Sequence, residues 1–119
     1  MPYDRELADR LRSVLGAWDE THEDDDLGLV DEKPMFGGLG FMVAGHLAVC
    51  AGSTGGLLVR VDPADSAALT ATEGVAPMRM AGRPSRSWVD VDAAALPDEE
   101  TLTVWVERGV AAARTAPRR

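Results

Sequence analysis

Leu39-Gly40-Phe41-Met42-Val43-Ala44 and Leu47-Ala48-Val49-Cys50-Ala51, joined across Gly45-His46, decide the fold. Both segments are short, apolar and bounded by glycine, and the dipeptide between them suits a tight hairpin turn. The period of two begins at Leu29. After a turn at Ser53-Thr54-Gly55-Gly56, Leu57-Leu58-Val59-Arg60-Val61-Asp62 alternates again. That alternation puts Leu57, Val59 and Val61 on one face and Leu58, Arg60 and Asp62 on the other. Consecutive strands with short turns predict an antiparallel meander, not the alternating helix and strand of a parallel sheet.

Helices flank this meander. Tyr3, Leu7, Leu11, Val14, Leu15 and Trp18 recur at three- and four-residue spacing, with Asp4 as N-cap. Asp62-Pro63 opens a short helix to about Thr72, ended by Gly74; Asp65 completes the spacing of a capping box. Met78-Arg79-Met80 is a short extended piece, Gly82-Arg83-Pro84 a break, and Ser87-Trp88-Val89-Asp90-Val91 a further strand. Pro97 opens the last helix, with Asp98, Glu99 and Glu100 in its first turn, where the helix dipole favours acids. Its stripe is Leu102, Trp105, Val106, Val110 and Ala113, with Gly109 allowing close packing. The expected architecture is a two-layer α+β domain: an antiparallel sheet of about five or six strands, in the order helix, three or four strands, helix, two strands, helix. One domain spans 1–119, with an acidic loop at 19–28 and a flexible tail at 115–119.

The 119 residues carry a formal charge of −8. Residues 1–32 hold eleven acids and three arginines, whereas 33–119 balance nine acids with nine bases. Most of the excess lies in Asp19-Glu20-Thr21-His22-Glu23-Asp24-Asp25-Asp26, which has no periodicity and reads as a solvated loop. An acidic chain repels phosphate backbones, so direct nucleic-acid binding is not expected. No apolar run approaches the roughly 18 residues that span a bilayer, and Met1 to Leu15 has no signal-peptide core. Cys50 is the only cysteine, which excludes a disulfide framework and suits a cytoplasmic chain.

Motifs for chemistry fail one by one. Gly37-Gly38-Leu39-Gly40 lacks the third glycine of a dinucleotide fingerprint, where Val43 stands, and a strand follows instead of a helix. No Gly-Lys-Ser/Thr exists for a P-loop. Gly52-Ser53-Thr54-Gly55 has Ala51 where a nucleophile elbow needs glycine. His22 lies among acids, but Leu27 and Pro34 occupy positions that calcium-loop ligands would need. His46 falls in a turn, and Cys50 reads as a buried, inert thiol. No catalytic residue, metal ligand or cofactor is therefore expected. The arginines are the better candidates: Arg60 sits within an apolar strand, and Arg79, Arg83 and Arg86 lie close together. Their forked guanidinium groups suit carboxylate or phosphate, unless Asp62, Asp90 or Asp92 pairs with them internally.

Met35-Phe36-Gly37-Gly38-Leu39-Gly40-Phe41-Met42, Leu57-Leu58-Val59-Arg60-Val61, Pro77-Met78-Arg79-Met80, Gly82-Arg83-Pro84, Trp88-Val89 and Leu102-Thr103-Val104-Trp105-Val106 resemble, in order and spacing, the TfoX/Sxy N-terminal domain family. The likeness runs from roughly Asp4 to Ala113. Ser85 and Ser87 depart from the methionine and glycine frequent in the family at those places. The resemblance implies a two-layer α+β fold of the secretion-chaperone-like class, with Met35, Phe36, Gly37, Gly38, Gly82 and Pro84 as a structural signature. Named members regulate competence for DNA uptake and carry a second, C-terminal domain, for which there is no room before Arg119, so competence regulation is not carried over. Two functional expectations follow. The first is a non-enzymatic regulatory or protein-interaction module, partnered by another protein or by a second copy through a sheet edge. The alternative is a small anionic-ligand binder or enzyme using Arg60, Arg79 and Arg83.

Overall fold

A computed structural model describes residues 5–18, 30–35, 37–43, 45–52, 55–80 and 82–115. Among these residues, three α-helices and six strands follow one another as α1 (Arg5–Gly16), β1 (Val30–Met35), β2 (Gly38–Val43), β3 (His46–Ala51), β4 (Leu57–Arg60), a 3-10 turn (Pro63–Asp65) running into α2 (Ser66–Thr70), β5 (Val75–Met80), β6 (Arg83–Val91), a second 3-10 turn (Ala93–Ala95) and α3 (Glu99–Thr115). The strands form one sheet in the order β1-β2-β3-β4-β6-β5, with every neighbouring pair antiparallel. The fold is the α+β arrangement expected, with four strands before the short helix and two after it. Asp4, the acidic run, the Ser53-Thr54 part of its turn, Phe36 and Pro117-Arg118-Arg119 lie outside the described residues.

One face of the sheet carries the main core. Leu39, Phe41 and Val43 of β2, Val49 of β3, Leu57 and Val59 of β4, and Val89 and Val91 of β6 are buried there. They meet Leu7, Leu11, Val14 and Leu15 of α1 and Leu102, Val106, Val110 and Ala113 of α3. The helical stripes, and Leu57 and Val59 of β4, are those the periodicities pick out. Each large side chain so buried contributes roughly 1.5–3 kcal/mol. Arg12 ties α1 to the edge strand β1, forking onto Glu32 at 2.8 and 2.9 Å. That hydrogen bond holds the Glu32 carboxyl below its ordinary range. The pair is solvent-exposed, so it orients the edge more than it stabilises the fold.

Local details differ from the sequence reading in instructive ways. Val43 pairs with His46, so the β2–β3 turn lies one residue earlier than Gly45-His46, with Gly45 at φ 82°. The positive φ falls on the glycine, and His46 is left extended as the first residue of β3. Asp62 caps the first 3-10 turn by accepting from the Ala64 amide at 2.9 Å, but Asp65 makes no capping bond. Pro97 precedes α3, and Asp98 is its cap, accepting from the Thr101 amide at 2.8 Å; this bond holds the Asp98 carboxyl below its usual range. The strands β5 and β6 are longer than expected, and Arg83 and Pro84 belong to β6 instead of breaking the chain. Before Trp88, β6 runs past the end of β4 and its ladder is with β5 alone. A proline there deprives no second neighbour of a hydrogen bond.

Two glycines of the β1–β2 turn serve different purposes. Gly37 takes φ 71°. Gly38 does not, but a Cβ there would run into the Ala51 carbonyl oxygen and approach the Gly52 Cα to 3.2 Å. Gly37→Ala should cost about 1–2 kcal/mol through its left-handed backbone, and Gly37→Asn less, since asparagine visits that region. Gly38→Ala should cost about 1–3 kcal/mol through overpacking, and Gly38→Asn more, because the side chain is larger. Denaturant unfolding midpoints measure all four; asparagine restoring stability at Gly38 but not at Gly37 would contradict this division.

Candidate functional site

The face of the sheet away from the helices is built by the other half of each strand's alternation. Leu47 and Cys50 of β3, Leu58 of β4 and Trp88 of β6 form a second apolar cluster, with Met35, Met42 and Met78 packed on its borders. All seven residues come from strands, so among the described residues no helix contributes to this layer. Gly40 lies beneath it: a Cβ there would sit 2.6 Å from a Leu47 methyl and 3.1 Å from the Met35 sulfur. The register sets two rows. Met42 lies opposite Leu47, and Arg60 opposite Trp88; one step along, Cys50 lies opposite Leu58, and Leu58 opposite Asp90.

Arg60 is the one predicted ligand residue in this layer. Its Nε donates to the Leu47 carbonyl at 2.6 Å, and its guanidinium carbon lies 4.9 Å from the centre of the Trp88 ring. The carbonyl fixes the near nitrogen and the ring supports the plane, an arrangement lysine would not reproduce. Burial of the stem lowers the guanidinium's pKa from its ordinary value. Among the described residues, Arg60 makes no ion pair. Asp90, diagonal to it across β4 and β6, makes none either. Its carboxyl is pushed up from the ordinary value, first by burial and then by the charge of Asp92. Asp90 and Asp92 line an open cavity of about 410 Å³ with Gly56, Gly74, Val75 and Ala76.

Arg79 and Arg83 lie elsewhere. They flank the β5–β6 turn, where Met80 pairs with Arg83 and Arg79 with Pro84, and both are exposed. Arg79 donates to the Gly82 carbonyl at 3.3 Å. Trp88 lies four steps along β6 from Pro84, so Arg79 stands roughly 13 Å along the strand from the row of Arg60. The three arginines line neither that cavity nor a second one of about 300 Å³ bordered by Asp62, Asp65, Leu69 and Arg108. Asp62, Asp90 and Asp92 form no ion pair with them. The signature is likewise divided: Met35, Gly37 and Gly38 lie at one end of the sheet, Gly82 and Pro84 at the other. Sequence reading put Leu58 on the face of Arg60 but missed Leu47 and Trp88 as its neighbours, because their strands meet β4 only through the order of the sheet.

Cys50, in the second of these rows, is fully buried, and burial pushes its thiol up from 9.0 to about 11. In the unfolded chain the thiol ionises first, so the unfolded state binds fewer protons between these values and stability falls as pH rises through them. Below pH 9 the contribution is fully present. Denaturant melts should show this alkaline loss in the parent and a flatter profile in Cys50→Ala; parallel profiles would contradict a buried neutral thiol.

No curated protein and no solved structure matches the chain significantly. A family model does: the TfoX N-terminal domain matches residues 24–113, from the acidic run to the end of the α3 stripe. That span holds the whole sheet and leaves α1 outside it. Signature, sheet and matched span agree, and the chain belongs to the TfoX N-terminal domain family.

Proposed function

We propose that this chain is a non-enzymatic regulatory or protein-interaction module and that the open face of its sheet is the docking surface. The observation that carries this reading is the second apolar cluster, built from strands alone, with a half-buried, ion-unpaired arginine set in it. A charge held partly out of water without an opposite charge costs stability, and the cost is recovered when a partner supplies one. The sheet's edges are weaker candidates for docking. β1 carries Pro34, and β5 carries Pro77 with a register irregularity beside it; both features discourage strand addition. Arg79 and Arg83, exposed at the β5–β6 turn, would steer an acidic partner toward the face more than hold it. The small-anion alternative has less behind it, because Arg60, Arg79 and Arg83 share no cavity. The single cysteine suits a cytoplasmic setting. No helix of the described residues is long and apolar enough to cross a membrane.

Met42 borders the open face, whereas Val104 on α3 is 45% exposed on the far side of the helical layer. Immobilised parent and Val104→Glu should retain the same proteins from an extract of the native host, and Met42→Glu should lose them. Equal retention by all three would contradict the face as docking surface. So would a melting-temperature rise with an anionic metabolite that Arg60→Ala abolishes without any protein being retained.

A further inference from the structure

Two half-buried charges of opposite sign lie on the open face without ion-pair partners among the described residues. Arg60 and Asp90 occupy one diagonal of a four-residue square on β4 and β6; Leu58 and Trp88 occupy the other. An occupant of this face must supply an anion at one corner and a cation at the opposite corner; Leu58 and Trp88 between them are each 8% exposed and add little apolar surface. We propose that the occupant is a second copy of this chain, joined face to face about a two-fold axis that runs along the Leu58–Trp88 diagonal. This rests on the reading of the open face as the docking surface.

The geometry follows from symmetry. An isologous interface is self-complementary, so a residue that contacts a second one is matched by the reverse contact. Rotation about an axis lying in the interface along the Leu58–Trp88 line exchanges the ends of the other diagonal. Arg60 then faces Asp90 of the partner subunit, and the partner subunit's Arg60 faces Asp90. Leu58 and Trp88, largely covered within their own subunit, mark the line of the axis. The Leu47 carbonyl holds the Arg60 Nε, which leaves the outer nitrogens for the carboxylate. The cavity beside Asp90 and Asp92, about 410 Å³ and lined by no base, receives the guanidinium and offsets the repulsion between the two acids.

Charge elsewhere does not override this pairing. The excess of acids lies in residues 1–32, and the remainder of the chain, which includes β2 to β6, is neutral. Arg79, Arg83 and Arg86 are exposed, so their repulsion across the interface is screened over a Debye length of about 8 Å at physiological salt. Partly desolvated charges are screened much less, which leaves Arg60 and Asp90 to set the orientation.

Sedimentation equilibrium on the full chain, at concentrations up to on the order of 100 µM, tests the proposal. The parent should be a dimer. Arg60→Glu alone and Asp90→Arg alone should each be monomeric, with the parent's far-ultraviolet circular dichroism. An equimolar mixture of the two variants should dimerise again, because the introduced carboxylate of one subunit then faces the introduced guanidinium of the other. Should either reversal fail to fold, Asp90→Asn, which keeps the side chain's shape, should weaken the dimer roughly tenfold or more. A parent that stays monomeric overturns the proposal, as does a dimer that neither reversal disturbs, a mixture that stays monomeric, or an Asp90→Asn dimer as tight as the parent's. A monomeric parent removes only the second copy as occupant. The open-face reading itself fails on unchanged retention by Met42→Glu.

Discussion

The approach of α3 to β3 at Gly109 organises the domain. A Cβ at that position would lie 2.6 Å from the Ala48 carbonyl oxygen and 2.7 Å from a Val49 methyl. The helix therefore rests on the strand backbone with no side chain between them. This contact sets the depth at which Leu102, Trp105, Val106 and Val110 enter the core and brings α1 alongside α3 on the same face. β3, like β4 and β6, is packed on both faces: Val49 inward against the helices, Leu47 and Cys50 outward. Every described α-helix then lies on one side of the sheet, and among the described residues the other side is finished by strand side chains.

A sheet face that no described helix covers presents an energetic problem that this sequence solves only in part. Three methionines border the outer cluster; their unbranched side chains adapt to a partner's shape at modest cost. Leu47, Leu58 and Trp88 are themselves nearly sealed from water, so the monomer is not left with a wide apolar patch. What remains unsatisfied is electrostatic. Arg60 has a carbonyl and a ring for company, and Asp90 has a like charge nearby. Such groups add little to the stability of a single chain and much to the selection of what binds it. The prolines of β1 and β5 close off the competing route of strand addition at the edges, which favours the face.

Much of the fold was legible in the sequence because two periods differ so clearly. Leu7, Leu11, Val14 and Leu15, or Leu102, Val106 and Val110, can share a face only on a helix, whereas Leu57, Val59 and Val61 can share one only on a strand. The candidate site was legible only as residues, not as an arrangement. Arg60 stood out as a charge in an apolar strand, but nothing local puts Trp88 opposite it. That pairing follows from β6 returning between β4 and β5, a long-range choice of order. Gly82-Arg83-Pro84 read as a break because proline usually ends a strand; where β6 outruns β4, that constraint lapses. In Met35-Phe36-Gly37-Gly38, two adjacent glycines looked alike, and only the β2–β3 register separates the one that turns from the one that makes room.

The proposed docking surface is the sheet face that no described helix covers. Methyl NMR of methionine labelled with carbon-13 measures that face directly. Met35, Met42 and Met78 border the outer cluster, and Val104, replaced by methionine as a reporter, marks the outside of α3. As chain concentration or partner is raised, the signals of Met35, Met42 and Met78 should shift together while the reporter at position 104 stays fixed. Shifts confined to the reporter, with the three face methionines unmoved, would contradict the account.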